Sequence, residues 1–270
     1  MFKLFIQTLQ TDWIKYKKSL LPWLSMVYVI FVIFLVSVFA LEDNRNPENA
    51  LFLLTRNITN ISAFFLPYLL VLSITLLSYI EHRSQGWKLM YTQPVGRGYF
   101  YVSKLVFLVF LILFVFLFKF IISSIAVKLL ELYKHEVKLS VFVLLYPDFI
   151  VHELKIILSC SSLIAIQYWM SLRMKNFLIP TGIGTVLTIL PLAVLMILGI
   201  TGIIKTPDQL KILLKIDPYS LPYSFIFDLS QMQSNTVIAQ IPDKYVIGSI
   251  VTGIIIGVTG FFDIRKKNIH

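Results

Sequence analysis

ITNISAFFLPYLLVLSITLLSYI at 58–80 and YFYVSKLVFLVFLILFVFLFKFI at 99–121 are two 23-residue apolar runs held apart by the charged, turn-rich stretch EHRSQGWKLMYTQPVGRG at 81–98. Each run is long enough for a helix to cross the roughly 30 Å hydrocarbon layer of a bilayer. Neither alternates polar and apolar residues as a barrel strand does, and in lipid only helices and closed barrels satisfy their backbone polar groups. The runs therefore read as spanning helices. The stretch between them reads as a loop at one membrane surface.

The whole chain repeats this character. Hydrophobic residues make up 57% of it and charged ones 14%, against about 45–50% and 25% in a soluble domain. The expected architecture is an all-α integral membrane protein with spans at 20–41, 58–80, 99–121, 151–172, 177–200 and 245–262, forming one transmembrane domain over 1–270. Residues 1–18 set Phe2, Phe5, Ile6, Leu9, Trp13 and Tyr16 at helical spacing, with Lys3, Gln7, Gln10, Asp12 and Lys17 between them. That pattern fits a helix lying in the interface plane. Val38-Phe39-Ala40 resembles a signal cleavage site, but the apolar stretch before it is longer than a signal core.

Pro67 falls mid-span, where a kink is tolerated if a neighbour covers the freed carbonyl. The link at 201–244 holds two short apolar pieces, Leu210 to Ile216 and Tyr223 to Leu229, divided by Asp217-Pro218 and Leu221-Pro222. Prolines at these places break a helix. Two short helices dipping into the outer leaflet fit this link, and so does a plain extracellular loop. In the last span Ser249, Gly253 and Gly257 recur every four residues as a small-residue packing face, the usual mark of helix contact within a subunit and sometimes of a dimer seam.

Basic residues orient the spans. With six spans the termini, the 81–98 loop and the turn at Arg173 share one side, which carries thirteen lysines and arginines against Asp12, Glu81 and Asp263. The opposite side carries ten basic and eleven acidic residues. The termini are therefore expected in the cytoplasm, and the net charge of +10 is a topology signal that needs no nucleic acid to explain it. Lys119 lies about 27 Å of helix beyond Tyr101, so the expectation is a side chain that snorkels to the outer surface. Glu153 and Lys155 are expected to anchor the outer end of the fourth span.

Sites for chemistry are few. His152-Glu153 opens like a zinc-protease HExxH, but Ile156 stands where the second histidine is needed. The single cysteine, Cys160, permits no disulfide within the chain and reads as a small buried residue. No GxxxxGK[ST] phosphate loop is present, so ATP hydrolysis by that route is excluded. The serines, threonines and Gln167 within the spans read as side chains bonded to helix carbonyls. No catalytic, cofactor or metal site is expected.

The loop carries a family likeness. Glu81 at the end of the second span, Gly86-Trp87-Lys88, Gln93-Pro94-Val95 with Arg97 after it, and Tyr101 to Lys104 entering the next span resemble the cytoplasmic loop of ABC exporter permeases of the ABC-2 type. The layout is similar too: an interfacial N-terminal helix, six spans, and a long outer link between the last two. The resemblance implies a coupling helix that docks on a separate ABC ATPase, which binds the ATP, and a second permease subunit, identical or paralogous. It implies that Glu81, Arg83, Gly86, Trp87, Lys88, Gln93, Pro94 and Arg97 form the ATPase-coupling interface. Trp87 offers an anchor of the kind that dominates small interfaces, although an aromatic belt at the headgroups would also use it. Permeases of this size resemble bacteriocin and lantibiotic self-immunity transporters of the bacterial cytoplasmic membrane. The implied substrate is amphipathic: a peptide, a lipid-like molecule or a drug. Two readings from other classes compete, a membrane anchor that assembles a larger machine without transporting, and an intramembrane enzyme.

Overall fold

The computed structural model describes residues 2–42, 47–83, 97–133, 150–201, 207–230 and 243–266. Regular structure there is helical: α1 Phe2–Lys17, α2 Leu21–Glu42, α3 Pro47–Arg83 and α4 Arg97–Tyr133. α5 spans Ile150–Arg173 with a break at Cys160. α6 Leu178–Ile200, α7 Pro207–Ile216, α8 Leu221–Ser230 and α9 Lys244–Lys266 follow. Among the described residues, α2 to α6 and α9 are long and apolar enough to cross a membrane, six in all. The fold is all-α, with six candidate membrane spans among the described residues.

α3 sits at the centre of the bundle, touching α2, α5, α6 and α8, while α5 packs chiefly on α9, and α4 touches α1, α2 and α9. The core where they meet is made of Val29, Val32, Leu70, Val71, Ile74, Leu108, Ile156 and Leu163. α1 lies along α4 through Trp13 against Phe110 and Tyr16 against Phe107, with ring centroids 6.0 and 5.6 Å apart. α6 turns Leu178, Val186, Leu190, Met196 and Ile200 outward, the surface expected of a helix solvated by lipid.

The break in α5 comes from its sequence. Ser159, Cys160, Ser161 and Ser162 are consecutive, and the hydroxyls of Ser159 and Ser161 donate to the carbonyls of Ile156 and Leu158 at 2.6 and 2.8 Å. Such back-bonding competes with the helix ladder and bends it. Ser249 of α9 supplies the missing partners: its hydroxyl donates to the Ser159 carbonyl at 2.7 Å and accepts from the Ser162 amide at 3.3 Å. One turn further along α9, Gly253 lies so close to the break that a Cβ there would stand 2.9 Å from the carbonyl carbon and oxygen of Ser161. Gly257 is looser, its nearest neighbour being Leu105 at 4.0 Å. The small-residue face thus includes two close contacts within one chain, Ser249 and Gly253.

α7 and α8 make a hairpin that folds back into the bundle. Its turn is closed by Asp217, whose carboxylate accepts from the Ser220 amide at 3.0 Å, and by the Ser220 hydroxyl, which donates to the Leu214 carbonyl at 2.9 Å. Next to the turn, buried Tyr219 donates to Gln167 Oε1 of α5 at 2.9 Å, and Gln167 Nε2 donates to the Pro180 carbonyl of α6 at the same distance. Tyr223 lies in a small cluster with Leu195 and Leu214, against Tyr68. The prolines at 218 and 222 end one helix and open the next, so the chain reverses inside the bundle.

Two expectations fail. Lys119 does not snorkel: it is 3% exposed, and its ammonium pairs with Glu153, itself 1% exposed. The reason is the length of α4, which continues to Tyr133 with Ile121, Ile125, Leu129 and Leu132 exposed and apolar. Apolar surface extends well past Lys119, so no outer surface is within its reach. Glu153 accordingly faces inward instead of anchoring an interface.

Candidate functional site: a charge cluster between the ends of α3 and α4

α3 ends at Arg83 and α4 begins at Arg97, so these two helix ends flank the loop. Just inside them lies a buried cluster. Lys104 of α4, with 2% of its side chain exposed, pairs with Glu81 in the last turn of α3 and with Asp12 of α1, the latter at 3.3 Å. Lys15 of α1 reaches the same Glu81 oxygen at 3.3 Å from a partly exposed position. Asp12 and Lys15 are three residues apart, which puts both on one face of α1. Glu81 sits where the helix dipole disfavours a negative charge, so the two lysines offset both its burial and its position.

Burial raises the pKa of Asp12, and the attraction of Lys104 opposes that rise. The cluster is a joint more than a source of stability. Buried ion pairs contribute little net energy, but removing one partner costs about 3–5 kcal/mol. α1, the end of α3 and the start of α4 are thereby fixed together.

Other polar contacts tie down the same side of the bundle. His82 Nε2 donates to the Ser171 carbonyl of α5 at 3.3 Å. Asp263 of α9 accepts from Arg173 Nε and Nη2 at 2.9 and 2.5 Å and from Trp169 Nε1 at 3.0 Å. Gly98, in the first turn of α4, lies against the Phe261 ring with no room for a Cβ. The ends of α3, α4, α5 and α9 form one platform with α1.

The predicted interface residues fall into three groups. Glu81 is buried and turned toward Lys104 and Lys15, so its carboxylate acts beneath the surface. Arg83 is exposed at the end of α3, and Arg97 is the first residue of α4. Gly86, Trp87, Lys88, Gln93 and Pro94 lie outside the described residues. Sequence reasoning missed Asp12 and Lys15 as members of the site. Two signals could have found them: an acid alone among the lysines of the N-terminal segment, and a lysine, Lys104, placed five residues into an apolar run.

Among the described residues no group of His, Cys, Asp and Glu could hold a metal ion. The profile of the family described as ABC-2 family transporter protein matches residues 8–191, from within α1 to Pro191 of α6. The chain belongs to the ABC-2 transporter family. It is thus a multi-pass membrane permease subunit of an ABC transporter, a transport subunit and not itself catalytic, and membership implies an ABC ATPase partner and usually a second permease. The matched region contains the loop, the charge cluster and the break in α5, while α7, α8 and α9 follow it. No curated protein matches the chain.

Proposed function

We propose that this permease is half of the membrane path of an ATP-driven exporter that moves or extracts an amphipathic substrate from the bacterial cytoplasmic membrane. The carrying observation is the Asp12–Lys104–Glu81–Lys15 cluster, buried between the two helix ends that flank the 84–96 loop. A push on the loop from an ATPase would move α1, α3 and α4 as one body. Arg83, Gly86, Trp87, Lys88, Gln93, Pro94 and Arg97 supply the ATPase contacts, with Glu81 holding their base. The excess of basic residues on the side of the termini supports a cytoplasmic loop.

The substrate class draws support from a groove of about 560 Å³ between α4 and α9, lined by Val102, Leu105, Ile254, Val258 and Phe262 among others. It is open and almost wholly apolar, as suits a peptide, a lipid-like molecule or a drug arriving through the bilayer. Self-immunity against a membrane-active peptide is the favoured setting. A second copy or a paralogue completes the path, and the α7–α8 hairpin serves as its outer gate.

Trp87→Ala tests the reading. The variant is expected to insert normally and to lose at least tenfold of the ATPase that co-purifies with the wild type, since tryptophans dominate small interfaces. Undiminished co-purification with undiminished stimulated ATP hydrolysis would sink the coupling role of the loop.

A further inference from the structure

A second buried charge pair lies fifteen residues further along α4, about 22 Å of helix from Lys104. Lys119 pairs with Glu153 of α5 and donates to the Ser62 hydroxyl of α3 at 2.6 Å. Tyr28 of α2 completes the group: its hydroxyl donates to the Ser62 carbonyl at 3.2 Å and lies 3.1 Å from the Ser62 hydroxyl. Four spans meet in one polar knot. One turn away on each helix stand buried apolar residues, Val32, Leu66, Val115 and Ile156.

The knot is incompletely satisfied. Glu153 Oε1 and both ring nitrogens of the neighbouring His152 have no hydrogen-bond partner among the described residues, although His152 is only 5% exposed. A charge pair that only glued helices together would gain from closing every lone pair. Buried pairs of this kind yield little net stability, because the two ions lose their hydration on closing and regain it when water enters. Apolar side chains of similar volume would hold the closed state at least as well and would resist hydration. Ionisable groups inside spanning segments most often mark pathways.

We propose that Lys119, Glu153, Ser62 and Tyr28 form a polar gate between α2, α3, α4 and α5, shut in this conformation and hydrated when the helices separate during transport. The proposal rests on the ATP-driven permease reading. Tyr28 and Ser62 position the pair, and Glu153 Oε1 is the acceptor that water reaches first.

The test uses the full chain with its co-purified ATPase in lipid vesicles. Cys160, the single cysteine and fully buried, is replaced by Cys160→Ser, and Ser62→Cys introduces a reporter. The probe is the charged thiol reagent 2-(trimethylammonium)ethyl methanethiosulfonate, applied without nucleotide and with the ATPase trapped by ATP and vanadate. Labelling at position 62 is expected to accelerate at least tenfold in one nucleotide state. Equal rates in both states, with the ATPase bound and hydrolysing ATP, overturn the gate alone. Absence of any ATPase from the wild-type preparation overturns the permease reading and the gate with it. The double change Lys119→Met with Glu153→Leu gives an independent readout. It is expected to retain the ATPase and to lose at least tenfold of chain-stimulated hydrolysis, whereas full stimulation in that variant overturns the gate.

Discussion

Gly253→Ala adds a single methyl group where α9 crosses the break in α5. The new Cβ would stand 2.9 Å from the carbonyl carbon and oxygen of Ser161 and 3.2 Å from the amide of Ser162. Optimal carbon–carbon contact is about 3.5–4.0 Å, so α9 must retreat by roughly 0.6 Å or more. The obstacle is backbone and cannot rotate away. Retreat also stretches the bonds of Ser249, one turn earlier, to the Ser159 carbonyl at 2.7 Å and the Ser162 hydroxyl at 2.8 Å. Overpacking of this kind costs about 1–3 kcal/mol. A weakened interhelical hydrogen bond adds roughly 0.6 kcal/mol. The sum, about 1.6–3.6 kcal/mol, corresponds to a drop in Tm of roughly 3–14 °C for a chain of this size. Thermal unfolding of the detergent-purified chain measures it. Gly248→Ala is the control, because no atom lies within 4 Å of its would-be Cβ. Equal melting of Gly253→Ala and wild type, or an equal loss in Gly248→Ala, would refute the assignment of this face to contact within the chain.

Three further outcomes follow from the same contacts. Lys104→Met leaves Glu81 and Asp12 buried without their shared counter-ion; a loss of about 3–5 kcal/mol is expected, read as rapid proteolysis, and wild-type resistance would refute the cluster's role as a joint. Tyr219→Phe strands Gln167 Oε1 inside the bundle and should cost about 1–3 kcal/mol, whereas adding Gln167→Leu should restore much of it; a double variant no better than the single contradicts the role of the Tyr219–Gln167 bond in holding the hairpin. Burial lifts the pKa of Asp12 above its ordinary 3.8, so the folded state binds more protons than the unfolded one between 3.8 and the raised value. Stability should then rise as pH falls through that window and decline as pH rises through it, relative to Asp12→Asn. Parallel Tm–pH curves for the two proteins would refute the shift.

The spans were legible because each is a long, predominantly apolar stretch with few charges, a property of the sequence alone. What was illegible depends on which side chains meet. Lys119 was misread because the apolar run was taken to end near it, whereas the exposed leucines and isoleucines beyond it carry α4 further. The prolines around the α7–α8 turn were visible, but how far the hairpin enters is set by Tyr219 meeting Gln167, 52 residues apart. Glu81 stood out as an acid at a span end. That it faces inward follows from Lys104 and from Lys15, which arrives on a helix that composition assigned only to the interface. Ser249 and Gly253 were recognised as a packing face, but their partner, the serine-rich break in α5, is identified only by the contact.

The Lys119–Glu153 pair also bears on how the chain enters the membrane during synthesis. Glu153 is made 34 residues after Lys119, so α4 reaches the bilayer before its counter-ion exists. A lysine at the centre of a helix costs about 2.5–3.5 kcal/mol on insertion scales, and each Leu, Ile, Phe or Val there returns about 0.3–0.6. α4 is the most apolar of the six spans and can carry its lysine alone; α5, with His152, Glu153 and Lys155, is the least apolar. Its Glu153 therefore enters after Lys119 is already in place, so α4 precedes the helix whose buried acid it neutralises.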